Sequence, residues 1–420
     1  MKNLQTVVPS RGWSGKYITR SMFRREYARN QLLFRSEYYY MSRPILWLQR
    51  SFGRMPYSVI SGWLRHSNWS ISFIYAVFVA LVNVGSHFYY HEHITDAWIQ
   101  TMRDSVNFKS VLFSYLLVTQ PPTCFVTIYS WLYELPRIVK CYNSTAILEH
   151  KISGVFPTST RSRCTRLMVP FGLASLLIAS LVVGSLLLIL RFREQPKILL
   201  IIIAINLIAN YSYNALWCFN FFFISDLAAK LRKHMLLCLQ DKKNCSFKLK
   251  TCRKIWISIW KQSQSYAQSI AVTVGYSLII NSILFIIGCY GAIASFRSND
   301  ILDVVEKLPY VLVTFINAAL IFESSYQATD KLGNAFLNTL VFLNKDSVDQ
   351  ESVEEIEQFV DTINHTRNAA ITLRGYMTMD RTLLVSFMSN SITYLIVLLQ
   401  FQGKSQDSGM STSNSTSPVT

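Results

Sequence analysis

The chain has 420 residues, of which 51% are hydrophobic, 14% aromatic and only 15% charged. An ordinary soluble domain carries about 25% charged residues, and the deficit here comes from uncharged runs such as 167–190, 198–225 and 267–295. Each run exceeds the roughly 20 residues that cross a bilayer's hydrocarbon core as a helix. Composition therefore excludes a soluble protein and predicts an all-α polytopic membrane protein.

Seven membrane helices are predicted, at 69–90, 109–133, 167–190, 198–224, 267–295, 309–330 and 382–402. The "QPP" sequence at 120–122 predicts a kink in the second span. No cleavable signal peptide is expected, because the first 43 residues contain no apolar core. The predicted organisation begins with a basic amino-terminal segment (1–68), followed by six spans (69–330) with helical extensions at 134–166 and 225–266. Further helices (331–381), a seventh span (382–402) and a short tail (403–420) complete it.

The distribution of basic residues predicts the orientation of these spans. Of the 41 Lys and Arg residues, 33 lie on the side of the amino terminus, 7 lie on the opposite side and Lys109 lies at a span edge. Because positive charge stays in the cytoplasm, the amino terminus is expected inside and the carboxyl terminus outside. This asymmetry explains the net charge of +17 without a nucleic-acid partner. It also opposes a G-protein-coupled receptor, which has the reverse orientation.

Two cytoplasmic segments have alternative interpretations. The stretch 43–67 alternates bulky apolar residues with arginines, which predicts an interfacial helix on the anionic inner leaflet or an ordinary basic flank of the first span. The acidic stretch 346–361 predicts a helix that begins with a Ser352–Glu355 capping box. One side of this helix carries an apolar seam that consists of Val353, Ile356, Val360 and Ile363. The seam favours either packing within one subunit or an assembly domain in which acidic and basic helices meet.

The last predicted span carries a polar stripe. Its members follow one another at spacings of 4, 3, 4 and 3 and therefore share one face of a helix: Ser386, Asn390, Thr393, Val397 and Gln400. Polar groups in lipid need partners or water. Two interpretations remain open, namely hydrogen bonds to neighbouring helices of the same bundle and an aqueous path surrounded by several subunits.

Other polar residues in the spans are candidates for ligand binding. Buried polar groups need hydrogen-bonding partners, and either a ligand or a neighbouring helix can supply them. The candidates in the outer halves of the spans are Tyr115, Asn206, Asn210, Asn281, Tyr290 and Asn317. Glu323, in the inner half of the sixth span, is expected either to line an inner vestibule or to be hydrated or paired.

The motifs in the sequence argue against an enzyme. No Gly-rich phosphate loop, zincin helix or nucleophile elbow occurs, so neither an enzyme nor a cofactor is expected. None of the eight cysteines falls in a predicted external loop, so no structural disulfide is expected. Cys245 and Cys252 have the wrong spacing for a zinc knuckle, and thiols without a bound metal are predicted.

Two motifs resemble a known family. "TYLIVLLQF" (393–401) matches the Thr-Tyr, five mostly apolar residues and Gln-Phe that close the seventh helix of insect gustatory receptors, which are relatives of the odorant receptors. "LQRSFGRMPY" (48–57) is similar to the apolar-Gly-x-x-Pro run before the first span of those receptors. The chain length, span number, inside amino terminus and short external loops also fit that family.

The resemblance implies a homo- or heterotetramer with other gustatory receptors that forms a ligand-gated, non-selective cation channel. The last helix of each subunit would then line the pore, and the helices of 331–381 would form a cytoplasmic anchor. By position in the motif, Val397, Gln400 and Phe401 would form the outer constriction, with Thr393 and Tyr394 below it.

The resemblance also implies a small-molecule tastant and a place in the plasma membrane of gustatory neuron dendrites. Leu395 stands where sugar-tuned members tend to have Glu, which disfavours a sugar without excluding it. A bitter or other aversive compound is favoured mainly because the members tuned to such compounds are the largest and most divergent group of that family. The alternatives are a sugar-responsive, carbon-dioxide-responsive or co-receptor subunit. A secondary transporter or a metabotropic seven-helix receptor is the alternative of another class.

Overall fold

A computed structural model describes residues 36–60, 62–89, 95–96, 119–155, 197–240, 245–297, 301–342, 349–366 and 369–411, and beyond Gln400 only the backbone is described. The predicted third span, residues 1–35 and Tyr115 lie outside these ranges. The helices are α1 (Glu37–Ser51), α2 (Ile71–Tyr89), α3 (Gln120–Tyr129), α4 (Leu135–Val155), α5 (Lys197–Gln240), α6 (Cys245–Ser269), α7 (Ala271–Arg297), α8 (Ile301–Leu332), α9 (Asn334–Val341), α10 (Gln350–His365) and α11 (Arg381–Ser411).

The predicted all-helical architecture is confirmed, and the described residues add two short antiparallel strand pairs to it. Strand β1 (Ser58–Ile60) pairs with β2 (Trp63–Arg65), and β3 (Thr372–Leu373) pairs with β4 (Met377–Thr378). The first hairpin precedes α2, and the second joins α10 to α11. Both pairs are too short to form a sheet with its own hydrophobic face, so they act as connections between helices.

Within the described residues, three helical segments are long and apolar enough to cross a membrane: Ala271–Phe296, Val311–Val341 and Arg381–Gln400. They overlap the fifth, sixth and seventh predicted spans. A shorter apolar segment, Ile71–Ser86, overlaps the first predicted span. The total of seven spans and the predicted orientation stay predictions.

Helix α5 is the central element of the bundle. Its 44 residues form one continuous helix, which at 1.5 Å per residue is about 66 Å long, or roughly twice the thickness of a bilayer's hydrocarbon core. Fully buried aromatic residues line its middle, where the Trp217 ring packs 4.6 Å from the Phe221 ring. The Trp217 indole N–H donates to Ser325 Oγ of α8 over 2.9 Å, which satisfies its one buried polar atom.

The prolines of "QPP" occupy the first turn of α3 rather than its middle. Pro121 and Pro122 follow the turn residue Thr119, at helix positions whose N–H groups have no intrahelical acceptor. The helix then continues through a π-helical turn, Ser130–Glu134, into α4. A π-turn therefore lies near the predicted inner end of the second span, and the predicted kink at the prolines stays a prediction because the first part of that span lies outside the described residues.

The predicted interfacial helix of 43–67 is wrong in its extent. Helix α1 starts after Ser36, whose Oγ accepts from the Tyr39 N–H over 3.2 Å, and it ends at Ser51. The chain then turns at Gly53, which has a φ of +69° and lies so close to α2 that a Cβ would sit 3.1 Å from Ala76 Cα. Only glycine meets both requirements, which explains why the run 48–57 breaks the helix here.

The acidic helix α10 begins three residues earlier than the predicted capping box. Asp349, not Ser352, is the N-cap, and its carboxylate accepts from the Ser352 N–H over 3.3 Å. Ser352 is buried in the first turn. The most deeply buried apolar side chains are Ile356, Phe359 and Ile363, so the seam turns slightly from the predicted Val353 and Val360, which are half-buried.

Helix α10 packs against the basic helix α6 of the same chain. Arg253 Nε donates to Glu355 Oε1 over 2.6 Å, and the Phe359 ring meets the Trp256 ring edge-on at 5.8 Å. The Trp256 indole N–H donates to the Leu332 carbonyl at the end of α8. The acidic helix α10 and the basic helix α6 therefore meet within one chain. This packing is the one expected if 346–361 forms a helix that packs within its own subunit.

Candidate pore face and ligand sites

Helix α11 has one side against its own subunit and one side away from it. Phe387 packs against Phe285 of α7 and Phe322 of α8, with ring centroids 6.5 and 6.3 Å apart. Only 6% of the most apolar stretch of α11 is buried within the chain, compared with 39% for the α7 segment and 44% for the Val311–Val341 segment. Most of this helix is thus left for contacts outside the subunit.

The polar stripe lies on the side that faces away. Each of its five members is exposed: Ser386, Asn390, Thr393, Val397 and Gln400. The Ser386 and Thr393 hydroxyls donate to the Thr382 and Ser389 carbonyls of the same helix, over 3.1 and 2.9 Å. Both hydroxyls therefore bond within α11 itself and not to a neighbouring helix.

The remaining predicted gate residues flank the stripe. Tyr394 is 63% exposed, beside Thr393. Phe401 lies on the backbone of α11, which continues to Ser411 rather than ending at 402, and the Phe401 side chain falls outside the described atoms. On the opposite side of the helix, Ser391 is buried and donates to the Phe387 carbonyl over 2.9 Å.

The amino-terminal end of α11 is attached to α8 by an ion pair. Arg381 donates to both carboxylate oxygens of Glu323, over 2.9 and 2.8 Å, and its guanidinium lies 4.0 Å from the centroid of the Tyr326 ring. Gln327 donates to the same carboxylate over 3.0 Å. Glu323 is therefore paired, as one of its two predicted interpretations requires.

A small polar cavity lies beside Arg54, between α2, α3 and α5. Its volume is about 20 Å³, which is enough for one water molecule and too small for an organic ligand. Arg54 is 5% exposed, and its guanidinium donates to Asn206 Oδ1 over 3.0 Å and to the Thr127 hydroxyl. The amide of Asn206 donates in turn to Asn83 Oδ1 over 2.8 Å.

The burial of Arg54 contradicts, at this residue, the interpretation of 43–67 as a helix on the leaflet surface. The Trp131 indole N–H and the Tyr213 hydroxyl both donate to the Arg54 carbonyl, over 3.1 and 3.0 Å, and so fix its backbone inside the bundle. Sequence patterns did not reveal this site, because its partners belong to distant spans. The one available signal was the Gly53–Pro56 run, which predicts a tight backbone turn.

Three candidate ligand residues lie at one level of the bundle. The Asn214 amide of α5 donates to Ser277 Oγ of α7 over 2.8 Å. One helical turn before Asn214 in α5 and one turn after Ser277 in α7, Asn210 and Asn281 are therefore level with each other. The Phe285–Phe315 contact, with ring centroids 6.3 Å apart, brings Asn317 of α8 to the same level. Tyr290 is half-buried farther along α7.

Two of these asparagines are buried without full hydrogen bonding. Asn281 and Asn317 are each 3% exposed, and within the described part of the chain the Nδ2 atom of each has no hydrogen-bond acceptor. An unsatisfied buried amide costs about 1–3 kcal/mol, so a water molecule or a ligand that accepts hydrogen bonds would be favoured there. Asn206, by contrast, is already bonded within the Arg54 cluster.

The sequence matches a known receptor family. Residues 42–404 match the family model of the 7tm chemosensory receptors. Gustatory and odorant receptor 22 of Anopheles gambiae is 24% identical over 158 residues, which cover 37% of this chain and 33% of that protein. Gustatory and odorant receptor 21a of Drosophila melanogaster is 26% identical over 162 residues, which cover 37% of this chain and 34% of that protein. The match therefore spans about a third of the length of these curated relatives.

The fold is also similar to a solved structure. The olfactory receptor OR5 of Machilis hrabei, in complex with eugenol, superimposes with a TM-score of 0.60 at 13% sequence identity. The alignment covers 87% of this chain and 100% of OR5. The family model spans most of the sequence, and the resemblance seen at 393–401 is thereby confirmed. The chain belongs to the 7tm chemosensory receptor family, alongside insect gustatory and olfactory receptors.

Proposed function

We propose that the chain is one subunit of a tetrameric, ligand-gated cation channel whose pore is lined by α11. The observation that carries the proposal is the orientation of the polar stripe, which faces away from its own subunit while Phe387 holds the opposite side of the helix against α7 and α8. A polar edge in lipid is unfavourable, and a water-filled axis between four copies removes that cost.

The residues along this edge suit conduction. A ring of four Val397 side chains closes a narrow pore by excluding water, and the Gln400 amides offer oxygen atoms to a partly hydrated cation. Thr393 and Asn390 continue the polar surface inward, and Ser386 follows near the inner end. Phe401 completes the constriction that the family motif implies.

The ligand of this channel is proposed to bind at the level of Asn210, Asn281 and Asn317. OR5 was solved with eugenol, a small organic molecule, which supports a ligand of that size for this fold. Two buried amides with hydrogen atoms to donate favour a ligand that carries hydroxyl, ether or carbonyl oxygens. A bitter or other aversive compound is the leading candidate, and sugars and carbon dioxide are the alternatives.

This position also connects the ligand to the pore. Phe285 lies one turn from Asn281 on α7, and its ring contacts Phe387 of α11. A ligand that separates or rotates α7 and α8 therefore changes the surface against which α11 packs. Binding that favours the rotated arrangement shifts the population toward the open pore.

Whole-cell recording from cells that express this chain alone tests the channel. The expected result is a ligand-evoked, non-selective cation current in a screen of bitter compounds, sugars and carbon dioxide. Substrate uptake without such a current would favour a secondary transporter, and a response that requires a G protein would favour a metabotropic receptor. A current that needs a second receptor would identify the chain as a member of a heterotetramer.

Antibody staining of tagged protein tests the proposed orientation and location. The expected result is a carboxyl-terminal tag that is stained on intact cells and an amino-terminal tag that is stained only after permeabilisation. The same tagged protein, expressed in gustatory neurons, is expected at the plasma membrane of their dendrites. Staining of the amino terminus on intact cells would overturn the proposed orientation.

A further inference from the structure

The cytoplasmic ends of α5 and α6 bring together three side chains that commonly bind metals. His234 and Cys238 are one turn apart near the end of α5, and Cys252 faces them from α6. The imidazole nitrogen and both sulfur atoms lie within 4.8 Å of one another. Cys238 and Cys252 are buried, and His234 is half-buried. Cys245, the first residue of α6, is also buried nearby.

The spacing of the three atoms fits a tetrahedral metal ion. Ligand bonds of about 2.3 Å to sulfur and about 2.0 Å to nitrogen place neighbouring ligand atoms about 3.5–4 Å apart, so small side-chain rotations complete the contact. Spacing along the sequence did not predict this site, because the Cys245–Cys252 interval does not match a zinc knuckle. The partners of Cys252 come instead from the preceding helix.

The chemical types of these groups suit a metal ion. Thiolate sulfur and neutral imidazole nitrogen are the forms that bind metal, so a divalent cation here would displace one proton from each of the two thiols. Lys248 of α6 also lies near His234.

We propose that His234, Cys238 and Cys252 bind one Zn²⁺ ion, with Cys245 or a water molecule as the fourth ligand. Zinc is favoured because it prefers nitrogen and sulfur ligands in a tetrahedron, and two thiolates with a neutral imidazole cancel its charge. The neutral complex tolerates the nearby Lys248. The proposed cytoplasmic location of 225–266 keeps the thiols reduced and disfavours a disulfide between them.

The ion would fix how α6 lies against α5. Only residues 241–244 connect the two helices, and Arg253, next to Cys252, forms the ion pair with Glu355 of α10. A metal that holds Cys252 against the end of α5 therefore also sets the position of the basic helix that α10 binds. The site would thus stabilise the packing of the cytoplasmic helices, independently of pore conduction.

Metal analysis of the purified full-length protein tests the proposal. After expression with added zinc and removal of loosely bound metal, about one Zn²⁺ per chain is expected by mass spectrometry. The Cys238→Ser and Cys252→Ser variants are each expected to reduce zinc content or affinity at least about tenfold. Cys289→Ser, which changes a cysteine of α7 outside the cluster, serves as the control and is expected to keep the zinc.

A second measurement uses only the wild-type protein and so does not depend on whether the cysteine variants fold. Replacement of zinc by Co²⁺ in the wild-type protein is expected to give thiolate-to-cobalt charge-transfer absorption, which reports the sulfur ligands directly. Wild-type protein with far less than one zinc per chain and no cobalt signal would overturn the proposal. So would a thiol titration of the denatured wild-type protein that finds two fewer than its eight cysteines, because that result indicates a disulfide.

Discussion

Arg381, the first residue of α11, binds both carboxylate oxygens of Glu323 in α8. The pair joins the amino-terminal end of the proposed pore helix to the helix that carries Asn317. The Arg381 guanidinium also stacks on Tyr326, so its position is defined in two directions. The contact therefore couples any movement of α8 to the base of α11.

Glu323→Gln is expected to weaken this coupling without preventing assembly. Both side chains are partly exposed, so the loss is modest and predicts a shift of about two- to fivefold in the half-activating ligand concentration, or a matching change in leak current. Recordings from cells with equal surface expression measure the shift. Glu354→Gln, on the exposed side of α10, is the control, and the exchange of Glu323 and Arg381 is expected to restore part of the effect. Equal gating in Glu323→Gln and wild type would contradict the coupling.

Gln400→Ala and Phe401→Ala are expected to change permeation rather than assembly. Loss of the amide ring removes oxygen ligands for cations, and loss of the phenyl ring widens the constriction. Changes of about twofold or more in relative cation permeability, or a larger leak current, are expected in recordings with surface expression preserved. Ser391→Ala, on the buried side of the same helix, is the matched control. Unchanged currents from delivered Gln400→Ala and Phe401→Ala channels would argue against a pore at this edge.

Asn281→Leu and Asn317→Leu are expected to separate ligand binding from stability. Each change removes a buried amide nitrogen without an acceptor among the described residues, so the free energy of unfolding should stay equal or rise by up to about 1 kcal/mol. If these amides donate to the ligand, the half-activating concentration rises about tenfold or more, since a lost hydrogen bond of about 1.4 kcal/mol has that effect.

Thermal unfolding and dose–response recordings on the same variants make this comparison. Asn206→Leu is the control for stability, because its oxygen accepts from Arg54 and its amide nitrogen donates to Asn83, so its loss should destabilise the bundle by about 1–2 kcal/mol. Normal ligand responses in both Asn281→Leu and Asn317→Leu would move the ligand site elsewhere.

Gly53→Ala is expected to destabilise the protein, whereas Gly154→Ala is not. Alanine at position 53 would need a φ of +69° and would press its Cβ against Ala76, at a cost of about 1–3 kcal/mol. Gly154 lies in α4 with open space around it, so alanine there should stabilise the helix by about 0.5–1 kcal/mol. Melting temperatures of the two purified variants give the comparison. Equal values would show that the turn before β1 is not constrained as described.

Glu149 is expected to make stability depend on pH. Burial raises the pKa of this carboxyl, although Ser36 Oγ and the Glu37 N–H donate to it over 2.7 and 2.8 Å and partly oppose the rise. A carboxyl that binds its proton more tightly in the folded state contributes stability at low pH, and this contribution is lost as pH rises through the folded-state pKa.

The melting temperature should therefore fall from about pH 4 to pH 7 by less in Glu149→Gln than in wild type. The exposed Glu354→Gln variant should retain the wild-type slope. Identical slopes in all three proteins would contradict a role for Glu149.

The helical pattern was predictable because period and hydropathy are local properties. The stripe from Ser386 to Gln400 follows directly from helical geometry, and the "TYLIVLLQF" motif identified the family. Which side of α11 meets its own subunit was not predictable, because that depends on Phe285 and Phe322 in distant helices.

The corrected details have the same origin in tertiary contacts. Asp349 and Ser352 are both good N-caps, and the burial of Ser352 selects Asp349. The sequence alone suggests that Arg54 is a surface residue, because its buried partners Thr127 and Asn206 come from distant parts of the chain. The cluster of His234, Cys238 and Cys252 likewise forms only when α6 folds back on α5.

The unbroken course of α5 has a mechanical consequence. The part of α5 between Asn210 and Cys238 is about 42 Å long, so each degree of tilt at Asn210 moves the far end, where His234 and Cys238 lie, by about 0.7 Å. Because no hinge interrupts it, such a tilt is transmitted as rigid-body motion and does not require a chain of rearranging side chains.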